Sequence, residues 1–287
     1  MRLLLYSLLA FATAPLAAQA PTPASAPYSL TTPGYVSAQV SPDGNWVAMS
    51  GAQYGALVAA PLVEENGRLR IGTTLTLSES RGSGYGFSWT SDGRVIARVY
   101  QGEGVGKEAQ LVAFSPQAQG SDVLARQTDM PAPPIVRGAS IAVAAPSGEA
   151  LLVDESVQAV PFAQEERLVL VGPNGTTELF ADVDGRPLLN VVVSTNGRVA
   201  FEIVGGDLMS IDLDGTDLVS HGRGEQASWS PDGQWLAFVR TSDDGHQMLS
   251  SDVWIDSPDG GQAKVLSETT GRIELHPTWG PGGRSLL

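Results

Sequence analysis

The chain has 287 residues, with 17 lysine and arginine residues, 31 aspartate and glutamate residues and no cysteine. The resulting net charge of −14 argues against nucleic acid or an anionic membrane surface as the main partner. The absence of cysteine excludes a disulfide framework, thiolate zinc sites and iron–sulfur clusters. The 33 glycines and 19 prolines, in a chain with 42% hydrophobic residues, favour many short strands and tight turns.

The first twenty residues have the pattern of a secretory signal peptide. Arg2 supplies a positive start, residues 3–12 are apolar, and Ala18 and Ala20 occupy the small-residue positions of a cleavage site. We therefore expect residues 1–20 to be removed on export and the proline-rich residues 21–27 to form a short extended tether. No later stretch reaches 18 apolar residues, so we expect no membrane insertion and a periplasmic or extracellular location.

One short pattern recurs six times after the tether. Its clearest copy is Trp229-Ser230-Pro231-Asp232-Gly233, which an apolar run follows. Pro231 fixes φ at the first turn position, Asp232 hydrogen-bonds its own backbone, and Gly233 accepts the left-handed conformation. The apolar run is too continuous for a half-exposed strand, and it predicts a strand that is covered on both faces. We number the repeats 1 to 6 by their turn glycines, which are Gly44, Gly93, Gly148, Gly197, Gly233 and Gly283.

A second turn lies between several of these copies, within residues 168–175, 207–216 and 252–261. Each repeat then holds strands A and B around the first turn and strands C and D around the second, which makes one four-stranded blade. The turn glycines are 36 to 55 residues apart. This period indicates an all-β fold, a six-bladed β-propeller that covers residues 28–287.

The repeats resemble the WD40-like repeats of the TolB family of periplasmic β-propellers, whose blades carry Trp-Ser-Pro-Asp-Gly before an apolar strand. The similarity covers nearly all of the chain after the tether, and it implies the propeller fold. TolB itself carries an N-terminal α/β domain, for which this sequence has no segment. The same repeats occur in prolyl-oligopeptidase-like serine peptidases, which continue into a catalytic α/β domain that this sequence also lacks.

The last repeat is incomplete in this chain, because Leu287 lies only four residues after Gly283. We expect an N-terminal strand at residues 28–31 to complete part of this blade. Two alternatives stay open at this point. Either the ring closes with a deficient blade that exposes strand edges, or the chain is part of a longer protein.

A search for catalytic and cofactor motifs gives no match. The sequence lacks Gly-x-Ser-x-Gly and His-Glu-x-x-His, and its three histidines fit loops or strand ends. Residues 102–107 fail as a phosphate loop because Glu108 stands where Ser or Thr is needed, so they predict a hairpin loop. Asp212, Asp214 and Asp217 lack the distal glutamate of a calcium loop and predict a capped turn. We predict no catalytic residue, no metal and no cofactor.

One feature remains as a candidate site. Five of the six repeats carry an arginine 10 to 12 residues before the turn glycine, where strand A begins. Strand A is the innermost strand of a blade, so these positions should gather at the mouth of the central channel. A ring of guanidinium groups there would bind a carboxylate, a phosphate or an acidic sugar, unless each arginine pairs with a carboxylate of a neighbouring blade. The candidate residues are Arg81, Arg137, Arg186, Arg223 and Arg272, with Tyr35 and Tyr85.

Acidic residues are concentrated in three long loops between strands B and C, which should open on the same face. These residues are Glu103, Glu108, Asp154, Glu155, Glu165, Glu166, Asp243 and Asp244. An acidic rim around an arginine-lined mouth favours selective docking of a protein loop or peptide over capture of a polyanion. The alternative is a generally acidic, solvated surface.

Together these patterns predict an exported, non-enzymatic binding module that docks a protein or peptide partner through the channel mouth. Such a partner would present a carboxylate or another anion. The main alternative is the propeller portion of a larger prolyl-oligopeptidase-like hydrolase whose catalytic domain is not in this chain. A carbohydrate-active propeller is a third possibility, and it would show clustered carboxylates in the channel.

Overall fold

The chain forms a series of antiparallel sheets that follow one another in sequence. The structure, a computed structural model, describes residues 34–66, 68–80, 82–90, 92–101, 108–128, 142–144, 150–152, 160–172, 175–261, 263–267 and 273–287. Repeat 1 forms a five-stranded sheet, and repeats 2, 4 and 5 each form a four-stranded sheet. None of the described residues lies in a helix long and apolar enough to cross a membrane.

The strands follow the predicted A-to-D order within each of these sheets. Repeat 1 contains β1 (Tyr35–Val40), β2 (Trp46–Gly51), β3 (Leu57–Glu65), β4 (Arg68–Ile71) and β5 (Leu75–Ser78), of which both β4 and β5 pair with β3. Repeat 2 contains β6 (Ser88–Trp89), β7 (Val95–Gln101), β8 (Glu108–Ser115) and β9 (Gly120–Thr128). Repeat 4 contains β15 (Leu188–Val193), β16 (Arg198–Ile203), β17 (Leu208–Asp212) and β18 (Val219–Ser220). Repeat 5 contains β19 (Glu225–Trp229), β20 (Leu236–Asp243), β21 (Met248–Asp256) and β22 (Lys264–Ser267).

Two smaller sheets lie in the region of repeat 3. One contains β10 (Ala142–Ala144) and β11 (Ala150–Leu152), and the other contains β12 (Val160–Gln164), β13 (Arg167–Gly172) and β14 (Gly175–Ala181). Short 3-10 turns occur at Ala52–Tyr54 and Pro281–Gly283. In repeat 6, Trp279 and Leu286 form an antiparallel bridge.

The sheets are the blades of an all-β, propeller-like fold. The described residues contain four complete blades, so the expected number of six is not confirmed and stays a prediction. The strand expected at residues 28–31 lies outside the described residues. The second turns are confirmed, because β13 and β14 pair across Gly172 and Gly175, and both Asp212 and Asp256 end a strand before a turn.

The turn between strands A and B has the predicted geometry. In repeat 5 the amide of Gly233 donates to the carbonyl of Ser230 at 2.8 Å, and Gly233 has a φ of +67°. A Cβ on Gly233 would also lie 2.6 Å from Nδ2 of Asn196, so both the conformation and the space require glycine. The Ser230 hydroxyl adds a contact that the sequence pattern did not reveal, since its oxygen accepts the amide hydrogen of Trp235 at 3.0 Å.

Tryptophan side chains join the A strands of neighbouring blades. The indole nitrogen of Trp89 donates to the carbonyl of Gln39 at 2.9 Å, and that of Trp279 donates to the carbonyl of Ser228 at the same distance. Trp229 makes the equivalent bond to Val192 at 3.3 Å. Each tryptophan lies four residues before its turn glycine, and each acceptor lies five residues before the turn glycine of the preceding repeat. The bond is therefore a repeated contact of the ring.

The hydrophobic core lies between blades. Trp229 packs with Ala200 and Leu208 of repeat 4 and with Phe238 of its own repeat. The first four residues of β20 have no exposed surface, which confirms that this strand is covered on both faces. A four-stranded sheet buries both faces only when a blade lies on each side, so stacking of blades supplies the core.

Repeat 6 lies beside repeat 1. Nη2 of Arg284 is 3.8 Å from Oε2 of Glu64, and a Cβ on Gly280 would lie 3.4 Å from Leu69. The ion pair itself is exposed and contributes little stability. These contacts place repeat 6 against β3 and β4 of repeat 1.

Loss of one indole bond should destabilise the fold. Trp89→Phe keeps most of the apolar surface but leaves the buried carbonyl of Gln39 without its indole donor, so we expect a loss of about 1–3 kcal/mol in the free energy of unfolding. Trp46→Phe is the matched control, because Trp46 packs against the same core and makes no indole hydrogen bond among the described residues. Denaturant unfolding of the two variants measures the difference, and equal losses would show that the bond contributes nothing.

Candidate functional site

Two of the predicted arginines lie in one cleft. Arg186 precedes strand A of repeat 4, and Arg223 precedes strand A of repeat 5. Both line an open cleft of about 430 Å³ whose other walls come from the turn between β16 and β17 and from the end of β18. The remaining lining residues are Ile203, Gly205, Gly206, Asp207, Met209 and Ser220. This volume suits a single amino-acid residue or a small acidic group.

Arg186 is held in its own loop. Its Nε donates to Oδ2 of Asp182 at 3.0 Å and its Nη2 donates to Oδ1 at 2.8 Å, while Asp184 lies 3.3 Å from Nη2. These side-chain hydrogen bonds, together with the backbone amide of Arg186, lower the pKa of Asp182 to about 2. The pairing partner is therefore in the same loop rather than in a neighbouring blade. Nη1 lies beside Gly206, where a Cβ would be 3.1 Å away, so glycine allows this approach.

Arg223 is exposed, and among the described residues its side chain has no ion pair or hydrogen bond. Its loop is fixed through Arg240 of β20. Nε of Arg240 donates to the carbonyl of Arg223 at 2.9 Å, and Nη2 donates to the carbonyl of His221 at 3.1 Å. The Arg240 guanidinium also lies 4.0 Å from the ring centre of Trp254, a cation–π contact that holds it in place. The backbone of Arg223 is thus anchored while its charge faces solvent.

The cleft combines a solvent-facing cation with apolar walls. The Asp182 carboxylate pairs with Arg186, and Asp207 also lines the cleft, so Arg223 is the cation that remains for a ligand. Asp207 accepts the Ser220 hydroxyl hydrogen at 2.7 Å. A guanidinium binds carboxylate and phosphate oxygens through two parallel hydrogen bonds, and Ile203 and Met209 offer apolar contact beside it. The arrangement can hold an anionic group attached to an apolar one.

A second polar group lies between repeats 4 and 5. Glu202 of β16 is buried, and its Oε1 accepts the amide hydrogen of Gln226 at 2.6 Å while its Oε2 accepts from Nδ2 of Asn190 at 3.0 Å. Oε1 of Gln226 in turn accepts the amide hydrogen of His276 at 2.6 Å. The bonds run from blade to blade along the start of the A strands.

The backbone at these positions is left-handed. Asn190, Gln226 and His276 have φ values of +52°, +57° and +53°, and each lies seven residues before its turn glycine. Gly86 stands at the same position in repeat 2 with a φ of +72°. Residues other than glycine reach this region at a cost of about 1 kcal/mol or more, and strained positions of this kind concentrate at functional sites. Sequence patterns did not reveal the set because its residue types differ.

Burial shifts the pKa values of Glu202 and His276. The pKa of Glu202 is raised to about 7, chiefly because burial disfavours the charged form. The bonds from Gln226 and Asn190 act in the opposite direction, and the nearby Glu225 carboxylate adds to the rise. Burial also lowers the pKa of His276, again by disfavouring the charged form.

Repeats 4 and 5 also share a buried serine, histidine and aspartate in hydrogen-bond contact. Oγ of Ser210 lies 2.9 Å from Nε2 of His221, and Nδ1 of His221 lies 2.9 Å from Oδ2 of Asp256. Nε of Arg198 donates to Ser210 at 3.0 Å, so the serine hydrogen is left for His221. All three residues are buried away from solvent, and no substrate can reach the serine. The group joins repeats 4 and 5 and has no access for catalysis.

The two predicted tyrosines do not line the cleft. Tyr35 is half-buried and packs on the core of repeat 1. Tyr85 is exposed and contacts Tyr54 edge-on, with ring centres 5.2 Å apart. Arg81, Arg137 and Arg272 lie outside the described residues, so the expected ring stays a prediction.

The expected acidic rim is described only in part. Glu103, Asp154 and Glu155 lie outside the described residues, as does the side chain of Glu108. Asp243 and Asp244 bind amide hydrogens within their own hairpin, and Glu166 lies 3.5 Å from Arg167. These acidic groups are engaged locally, which favours structural roles in their loops.

The aspartates of the predicted capped turn also have local partners. Arg198 binds Asp212 at 2.8 Å, and Asp214 accepts the amide hydrogen of Thr216 at 3.0 Å. Within the described ranges, no three histidine, aspartate or glutamate side chains converge in a way that could hold a metal ion.

Solved structures with the same architecture include two TolB proteins. The TolB of Agrobacterium tumefaciens is 14% identical with a TM-score of 0.53, and the match covers 82% of each chain. The TolB of Acinetobacter baumannii is 15% identical with a TM-score of 0.51, over 86% of this chain and 57% of that one. The fold is that of a TolB-like β-propeller.

The TolB-like propeller is also similar to an enzyme domain. The acylaminoacyl peptidase of Pyrococcus horikoshii is 15% identical with a TM-score of 0.51, and the match covers 83% of this chain and 46% of the peptidase. Neither a family model nor a curated protein sequence matches the chain. At these identities the similarities establish the fold alone, so the function has to be argued from the residues of the site.

Glu202 should make stability depend on pH in a defined direction. Its pKa is about 7 in the folded protein and near 4.5 when unfolded, so the folded state holds the proton more tightly. The contribution of Glu202 to the free energy of unfolding is largest below pH 4.5 and declines as the pH rises to 7. Above pH 7 this contribution is lower by about 3 kcal/mol. We expect Glu202→Gln, which keeps an acceptor for Gln226, to gain stability relative to the unsubstituted chain between pH 5 and pH 8.

Denaturant unfolding at several pH values measures that difference. Glu79→Gln is the matched control, since it makes the same substitution at an exposed glutamate, and the pH dependence of Glu202→Gln is compared with it. A Glu202→Gln difference that stays constant with pH would show that this carboxyl is not perturbed.

Proposed function

We propose that this TolB-like propeller is an exported, non-enzymatic binding module that docks a protein or peptide partner on its channel-mouth face. The proposal includes a signal peptide at residues 1–20, a six-bladed ring and a periplasmic or extracellular location. The observation that carries it is Arg223, an exposed arginine without a partner among the described residues whose loop is anchored by Arg240.

The geometry of the loop favours a binding role for Arg223 over a structural one. A structural arginine forms its ion pair within the protein, as Arg186 does with Asp182. The Arg223 loop instead uses a different arginine for structure, which leaves the Arg223 guanidinium available to a carboxylate or another anion of a partner. An anchored backbone reduces the entropy lost on binding.

The second candidate is the propeller portion of a larger hydrolase. The match to the acylaminoacyl peptidase covers 46% of that protein, and this similarity favours the second candidate. The coding sequence after Leu287 distinguishes the two proposals. A following α/β domain with a nucleophile elbow would support the hydrolase, and a stop codon would support the binding module.

Removal of the Arg223 charge should weaken partner binding without unfolding the protein. The immobilised chain is exposed to a periplasmic extract of its own source, and the retained partner is purified and titrated. Loss of a charge-assisted hydrogen bond of about 1.5–3 kcal/mol predicts an affinity that is roughly ten to a hundred times lower for Arg223→Ala. Thermal unfolding of this variant should match that of the unsubstituted chain, because the side chain makes no described contact.

Arg284→Ala is the matched control. Arg284 is 78% exposed and lies at an A–B turn, which is the opposite end of strand A from Arg223. Its substitution should leave the affinity unchanged. Equal weakening by the two variants would indicate non-specific charge attraction, and a chain that retains no partner would contradict the proposal.

A further inference from the structure

The cleft lined by Arg186 and Arg223 has room for about one amino-acid residue. Its volume is about 430 Å³, and it is open to solvent. Gly205 and Gly206 form one wall, in the turn between β16 and β17. A Cβ on Gly206 would lie 2.9 Å from Cγ2 of Ile203 and 3.1 Å from Nη1 of Arg186, so glycine keeps this wall free of side chains. A ligand that fills the cleft therefore presents one residue to it.

The charges around the cleft leave one cation for a ligand. Arg186 lies 2.8 Å from Asp182 and 3.3 Å from Asp184. Its hydrogen bond to Asp182 raises the pKa of Arg186, and the charge of nearby Asp207 adds to this rise. Arg223 is exposed and has no ion pair among the described residues. A ligand with a single carboxylate fits this arrangement, because a second anionic group would meet the aspartates.

Asp207 provides a hydrogen-bond acceptor in the same cleft. Its Oδ2 accepts the Ser220 hydroxyl hydrogen at 2.7 Å, while its Oδ1 has no hydrogen bond within the described ranges. Glu225, two residues after the exposed arginine, does not line the cleft and accepts the Thr241 hydroxyl hydrogen at 3.3 Å. The acceptor that a ligand meets in the cleft is therefore Oδ1 of Asp207, which suits an N–H donor.

Apolar contact in the cleft comes from two strands of repeat 4. Ile203 of β16 is buried and Met209 of β17 is half-buried, and both pack in the core of this repeat while they line the cleft. The space of one residue thus offers a guanidinium, an acceptor and an apolar surface. A C-terminal residue carries a carboxylate, an N–H group and a side chain on a single Cα. In an internal extended segment, the side chain next to an acidic one points to the opposite face.

We propose that the cleft binds the C-terminal residue of the partner polypeptide, and that this residue is apolar. Its α-carboxylate pairs with Arg223 through two parallel hydrogen bonds, and its backbone N–H donates to Asp207. Its side chain contacts Ile203 and Met209, and the rest of the polypeptide leaves through the open side of the cleft. This inference rests on the proposed function and specifies which anion of the partner is bound.

Three short synthetic peptides test the proposal by calorimetric titration against the intact chain. The first is acetyl-Gly-Ser-Gly-Leu with a free C-terminal carboxylate, the second is the same peptide as a C-terminal amide, and the third ends in serine with a free carboxylate. We expect the first to bind at least ten times more tightly than the amide, which lacks the charge that pairs with the guanidinium. It should bind about five times more tightly than the serine peptide, which lacks the apolar side chain.

Substitutions then locate the site. Arg223→Ala should weaken the free-acid leucine peptide about tenfold and leave the amide peptide unchanged, because only the free acid pairs with the guanidinium. Asp207→Asn keeps an acceptor for both Ser220 and the ligand N–H, so it should leave the affinity within about threefold. Arg284→Ala, an exposed arginine at the other end of strand A, is the matched control and should change nothing. Arg223→Ala should shift the melting temperature by no more than about 2 °C.

The outcomes separate this inference from the proposed function. No binding of the first peptide, equal binding of its amide, equal binding of the serine peptide, or an unchanged preference in Arg223→Ala would overturn it. Free leucine that binds as tightly as the peptide would also overturn it, because the cleft would then be a site for an amino acid. In each of these cases a purified partner that loses affinity with Arg223→Ala leaves the proposed function standing. A chain that retains no partner from the extract refutes the proposed function whatever the peptides do.

Discussion

A tryptophan indole that binds the backbone of the preceding blade is the contact on which the rest of this structure depends. A single antiparallel blade cannot bury both of its faces, so its core exists only against its neighbours. Trp89, Trp229 and Trp279 fill the space between blades and donate to carbonyls of the preceding A strand. The bond is directional, so it fixes the height of one A strand against the next as well as the distance between them. That alignment also places the loops that precede the A strands.

The loops before the A strands of repeats 4 and 5 form a charged cleft. The cleft of Arg186 and Arg223 is built from loops that Asp182 and Arg240 hold in place, and it presents one guanidinium to solvent. The anchoring contacts are hydrogen bonds to charged groups, which keep their geometry better than exposed ion pairs do.

Much of the fold follows from local rules that a sequence displays. Gly233 takes the left-handed turn that its proline and aspartate neighbours predict, and the apolar run of β20 is covered on both faces. The arginine period predicted a shared location; Arg186 and Arg223 line one cleft, and the ring of five stays a prediction. The sequence did not predict that Asp182 pairs with the Arg186 side chain or that Arg240 binds the backbone carbonyl of Arg223, because both contacts depend on the conformation of the loops. Glu202 was missed for the same reason, since its burial depends on β19 of the next blade.

Hydrogen exchange of the indole protons, followed by NMR, tests the central claim most directly. The indole hydrogens of Trp89, Trp229 and Trp279 lie in bonds between blades, so we predict that they exchange only when the ring unfolds globally, at rates that follow the free energy of unfolding. The indole hydrogen of Trp46, without a hydrogen bond among the described residues, should exchange much faster. If any of the three exchanges as fast as Trp46, then that pair of blades opens independently, and the ring is not held together by this contact.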